Sequence, residues 1–136
     1  MVRRGALNWL KEAQADLRRA IRALEDGDYA LSVFMSQQAC EKAFKASYLA
    51  LARCMYPRTN DLVVLYNGLK QYITLPQEII ELLPEVSQYY TTARYPNAGL
   101  EVPSESISRA QAIRALEVAK VVVSVVEQRI REAGDP

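Results

Sequence analysis

Apolar residues return every third or fourth position along most of this chain, and nowhere do they alternate with a period of two over a useful length. A period near 3.6 gathers them on one stripe of a helix, whereas a half-buried strand needs strict alternation. The pattern confines the chain to an all-α fold. Leu7, Leu10, Leu17, Ile21 and Leu24 make the first stripe, which Glu25-Asp26-Gly27-Asp28 ends. Gly27 can take a positive φ there, and Asp28 can cap the next helix. A second stripe of Val33, Gln37, Cys40, Phe44, Tyr48, Leu51 and Met55 predicts one long helix over residues 29–55, stopped by Tyr56-Pro57. A short helix is expected over 62–72. Another opens at Pro76, carries Ile79, Ile80, Leu83 and Val86, is kinked or split at Pro84, and ends at Tyr89-Tyr90. Residues 93–103, which hold Pro96, Asn97, Gly99 and Pro103, read as loop. The last helix is expected to open at Ser104 and to run from Ile107 to Ile130. Together these elements predict an up-down helical bundle of four to five helices.

Length supports a single domain over residues 1–136, large enough for one core without disulfide or metal staples. Seventeen basic residues against sixteen acidic ones exclude a generally basic nucleic-acid binder but not a local basic patch. The chain has no histidine, which removes a histidine general base, a Ser-His-Asp triad and every histidine-containing zinc site. Cys40 and Cys54, placed fourteen residues apart on one helix, would stand roughly 21 Å apart, well beyond the roughly 7 Å that a disulfide tolerates. Both are expected to be small core residues in a reducing cytoplasm. The apolar runs are too short or too interrupted by charge to span a membrane. Val118, Val121, Val122 and Val125 add apolar positions beside the last stripe, and this surplus predicts a two-fold homodimer.

Two places have unusual chemistry. In Gln37-Gln38-Ala39-Cys40-Glu41-Lys42-Ala43-Phe44-Lys45, the side chains of Gln38, Glu41, Lys42 and Lys45 share one helix face, and Gln37 sits on the apolar stripe itself. One reading has Gln37 and Glu41 bonded to neighbouring helices or across a dimer, with the lysines solvated. The other is a polar pocket whose two cations bind phosphate. In Tyr89-Tyr90-Thr91-Thr92-Ala93-Arg94-Tyr95-Pro96, an arginine lies among tyrosines at a helix end. It can stack a base and fork onto a phosphate, or pair with an acid such as Glu41 while the tyrosines pack.

These segments, in this order, resemble the HEPN domain family (higher eukaryotes and prokaryotes nucleotide-binding). Trp9-Leu10 with Ala15-Asp16-Leu17 resembles its opening helix, and Gln37–Ala46 its most recognisable one. Pro57-Arg58-Thr59-Asn60-Asp61-Leu62 resembles a turn usually written Thr-His-Asp-Leu, and Ala93-Arg94-Tyr95-Pro96 an Arg-Tyr-Pro loop. The resemblance implies a bundle that is commonly dimeric and often accompanies a small nucleotidyltransferase, several such pairs acting as toxin–antitoxin modules. Toxic members are ribonucleases with an arginine followed four to six residues later by a histidine. Arg94 fits that arginine, but Ala98, Gly99 and Leu100 occupy the histidine positions, and Asn60 replaces the histidine of the turn.

The resulting expectation is a non-catalytic, cytoplasmic protein without cofactor or metal. It forms a homodimer, partners a nucleotidyltransferase, and binds nucleotide or RNA weakly through Lys42, Lys45, Arg94, Tyr95, Tyr90, Gln38 and Glu41. The competing expectations are a degenerate ribonuclease toxin and an interaction module without a ligand.

Overall fold

The computed structural model describes residues 2–97 and 102–134, and the side chains of all of these except Val2 and Arg3. Every element among them is helical: α1 (Val2–Glu25), α2 (Tyr29–Ser47), α3 (Leu62–Asn67), α4 (Gln77–Thr92), α5 (Pro103–Ser106) and α6 (Arg109–Ala133). The four long helices alternate in direction. Trp9 and Asp16 of α1 meet Lys45 and Lys42 of α2 in reversed order. Glu85 and Tyr89 of α4 meet Arg114 and Gln111 of α6 in the same reversed sense. The up-down bundle is therefore present, with one-turn α5 as an element beyond the expected five.

α2 lies at the centre, packed against α1, α6, α4 and α3. Its small side chains allow this: Ala30, Ser32, Ala39, Ala43, Ala46 and Ser47 are all buried, and the Ser32 hydroxyl donates to the Ala20 carbonyl of α1 at 2.8 Å. The answering seam of α1 is alanine, not the leucine stripe. Ala6, Ala13 and Ala20 are fully buried, while Leu7 keeps 37% of its surface exposed. Alanines let the two backbones approach, which pushes the larger residues to the edge of the contact.

The second helix also stops sooner than its stripe suggests. After Ser47 the chain widens into a π-helical turn, Tyr48–Ala52, closed by Arg53 in the left-handed region (φ 56°). The extra residue per turn rotates the stripe off the core, so Leu51 is half-buried and Met55 is 73% exposed. Cys54 lies beyond the helix and is exposed, so only Cys40 is a core thiol. The widened turn aims the Tyr48 hydroxyl at the Leu65 carbonyl, to which it donates at 2.7 Å. That hydroxyl passes directly over Gly68, where a Cβ would collide with it.

Asp61 caps α3, accepting from the Val63 and Val64 amides at 2.9 and 3.3 Å. α3 then gives way to turns at Gly68, so the helical run is shorter than 62–72. α4 continues unsplit through Pro84 and past Tyr90 to Thr92. The last long helix opens at Ser108 rather than Ser104. Ser108 and Gln111 exchange bonds of 3.1 and 2.8 Å in a capping box, while Pro103–Ser106 forms its own short turn. Val118 and Val122 are fully buried and Val121 and Val125 half-buried inside this one chain, so the valine surplus needs no second copy to cover it.

Candidate functional site

The polar residues on the stripe of α2 form one connected network. Gln37 is fully buried, and its amide nitrogen donates to Glu41 at 3.2 Å and to the Asn60 backbone carbonyl at 3.1 Å. Gln38 donates to the Gln37 side-chain oxygen at 2.7 Å. Lys45 donates to the other Glu41 oxygen at 2.8 Å, and its ammonium lies 5.3 Å from the Trp9 ring centre and 5.1 Å from that of Tyr56. Those two rings meet edge to face at 5.6 Å. The carboxylate and the two negative ring faces together compensate the cation, as its loss of water requires. Gln37 ties α2 to the Asn60 turn and Lys45 ties it to α1, whereas every bond of Glu41 among the described residues stays within α2, so the cross-linking reading holds for Gln37 and not for Glu41. The lysine is not solvated as that reading had it.

Lys42 also reaches α1, at a separate place. Its ammonium lies 2.6 Å from Asp16, a carboxylate only 2% exposed, which Arg19 also reaches at 2.6 Å. Asp16 is thus an interior carboxylate held by two cations. Its place on the alanine seam, three residues after Ala13 and four before Ala20, is the signal that it is buried.

Arg94 stands apart from both networks. It follows the last turn of α4, and its guanidinium lies 5.1 Å from the ring of Phe34, 5.0 Å from Tyr90 and 4.9 Å from Tyr95. No acid pairs with it among the described residues. Glu41, the acid once considered for it, is held by Lys45 and Gln37. Phe34 was not singled out in the sequence. Its position one turn before Gln38 on the same face of α2 is what brings it under Arg94. Phe34 precedes Lys42 by eight residues, about 12 Å of helix. The structure thus gathers Arg94, Tyr90 and Tyr95 at one end of α2 and Gln38, Glu41 and Lys45 further along it, and it assigns Lys42 to Asp16. The three cations do not converge on one spot. Ala98, Gly99 and Leu100, which stand at the positions of the family's ribonuclease histidine, lie outside the described residues.

Below this region, Asn60, Asp61, Val63, Pro84, Ser87 and Gln88 line a depression of about 360 Å³ between α3 and α4. The Leu62 amide donates to Ser87 at 3.0 Å and fixes the Asn60 turn against α4. No group of three or more cysteine, aspartate or glutamate side chains is arranged to hold a metal among the described residues. No described helix is long and apolar enough to cross a membrane.

Comparison with known proteins agrees with this architecture. No curated protein matches the chain. Among solved structures, a Thermus thermophilus protein, TT1696, is 33% identical, with a TM-score of 0.80 over 91% of this chain and 97% of its own. An archaeal HEPN homologue is 27% identical, with a TM-score of 0.75 over 92% of this chain and 97% of its own. An HEPN domain protein from Thermotoga maritima, 24% identical, shares the fold with a TM-score of 0.69 over 89% of this chain and 95% of its own. The family model of the HEPN domain matches residues 6–129, nearly the whole bundle, and the chain belongs to the HEPN domain family.

Proposed function

We propose that this chain is a non-catalytic HEPN protein that binds nucleotide or RNA phosphate weakly at Arg94, with Tyr90 and Tyr95 as stacking faces. The observation that carries the reading is a guanidinium set among three aromatic rings with no acid paired to it among the described residues. A guanidinium can fork onto a phosphate, and a base can stack on Tyr95, which is 49% exposed. Lys42 and Lys45, once expected to share the ligand, are already committed to carboxylates, so affinity rests mainly on Arg94. Cleavage of RNA at the 2′-hydroxyl needs a proton acceptor. The chain has no histidine to supply one, and the side chains packed on Arg94 are two phenols and a phenyl ring.

In this reading the protein acts as a homodimer beside a small nucleotidyltransferase, in the manner of a toxin–antitoxin pair. Calorimetry against ATP, other nucleotides and short RNA tests the site. Binding in the micromolar to millimolar range that falls with salt is expected, with Arg94→Ala weakening it about tenfold or more while the fold persists. Equal binding by the variant, or none by the unaltered protein, would leave a helical interaction module without a ligand. Arg94-dependent degradation of RNA by nuclease-free protein would instead establish the degenerate ribonuclease.

A further inference from the structure

A second face of the bundle carries chemistry that the Arg94 site does not use. α1 and α6 run antiparallel and leave a groove along their seam. One depression of about 310 Å³ is lined by Leu7, Leu10, Lys11 and Ile130, among others. The next, about 500 Å³, is lined by Leu17, Arg18, Lys120 and Val123, among others. Gln14 and Glu127 belong to both, and the Gln14 amide donates to the Glu127 carboxylate as a polar bridge between the two halves. From Leu7 to Leu17 the groove follows about 15 Å of α1, close to three helical turns.

Its charge is one-sided. Lys11, Arg18 and Lys120 on the rim pair with no acid among the described residues. Glu127 is the one acidic residue of the lining, and it is already engaged by Gln14 and by Arg131 at 3.1 Å. An apolar floor bordered by unpaired cations is the complement of an amphipathic helix with acidic flanks.

We propose that this groove docks such a helix from another protein, its apolar edge on the leucine floor and its carboxylates on Lys11, Arg18 and Lys120. A second copy of this chain fits poorly, because a two-fold contact would bring the same cationic rim against itself. An RNA backbone would meet the cations but leave the exposed surface of Leu7 and Leu17 without a counterpart. The proposal stands independently of what binds at Arg94.

Fluorescence anisotropy of the full chain with labelled amphipathic peptides three to four turns long tests it. One peptide carries leucines at every third or fourth position with glutamates on both flanks, and the other carries lysines in place of the glutamates. The acidic peptide should bind with a Kd of tens to hundreds of micromolar, more weakly as salt rises, and the basic peptide at least about tenfold more weakly. A triple variant, Lys11→Gln with Arg18→Gln and Lys120→Gln, should lose about tenfold in affinity with helicity unchanged by circular dichroism. Absence of binding, equal binding of both peptides, or full affinity in the variant would overturn the proposal. So would a change in oligomeric mass in the variant, which would make the groove a contact between copies. Loss of RNA binding in the variant without loss of peptide binding would assign the rim to RNA and overturn it too.

Discussion

The Glu41 carboxylate is shared by Lys45, Gln37 and Gln38, and it is only 9% exposed. Removing it strands an ammonium between two rings and leaves a buried amide one acceptor short, so Glu41→Ala should cost about 1–3 kcal/mol. A urea midpoint that does not move would show that the network contributes nothing to the fold. The two thiols give a simpler check. Cys54 should react with a thiol reagent in the native state and Cys40 only after unfolding, since burial both shields it and raises its pKa. A third residue-scale outcome concerns alkali. Burial, reinforced by the negative charge of Glu85, pushes the Tyr89 hydroxyl up to about 12, and burial also raises Tyr48, whose proton is donated to Leu65. The native state therefore holds these protons after the unfolded chain has released them. Stability is complete below about pH 10 and should fall as pH rises toward about 12, since the unfolded state then binds fewer protons. Denaturant midpoints across that range should show the fall, and Tyr89→Phe should make it shallower.

At the scale of elements, the start of α6 is the clearest disagreement between pattern and structure. Ser104 and Ser108 are both serines ahead of an apolar run, but only Ser108 has a glutamine three residues on that can complete a capping box. Ser108→Ala should therefore cost about 1 kcal/mol, whereas Ser104→Ala should stay within about 0.5 kcal/mol. Equal effects would place the helix start where the apolar stripe alone suggested. The helices themselves were legible because their periodicity is long, and Asp28 as a cap was legible because its chemistry is local. What periodicity does not report is which face of a helix approaches another most closely. In α1 that face is alanine, and it carries Asp16 into the interior. In α2 a π-helical turn, set by packing of Tyr48 over Gly68, changes the register after Ser47. The candidate site shows the same division. Gln37, Glu41 and Lys45 were readable as a cluster because they share one helix, whereas Phe34 under Arg94 and Trp9 with Tyr56 around Lys45 depend on how separate segments pack.

At the scale of the whole molecule, assembly has to be argued from the surface that the bundle leaves uncovered. The valines of α6 no longer argue for a second copy. Near the start of α2, by contrast, Leu31 is 45% exposed and lies beside a depression of about 260 Å³ lined also by Arg19, Arg22, Ala23, Asp26 and Met35. This patch holds both signs of charge around an apolar centre. A two-fold axis through it would set Arg22 of one copy near Asp26 of the other, so the patch can complement itself in a way the cationic α1–α6 groove cannot. Phe34 lies one turn further along α2, where its half-buried ring packs on Tyr90 of α4 at the edge of the patch. Light scattering at tens of micromolar should accordingly give about twice the chain mass of 15.3 kDa. Leu31→Glu would bring two buried carboxylates together at the centre of the contact and should return the protein to the single-chain mass with its helicity intact. A single-chain mass for the unaltered protein would remove the homodimer, and an unchanged dimer in Leu31→Glu would move the contact to another face.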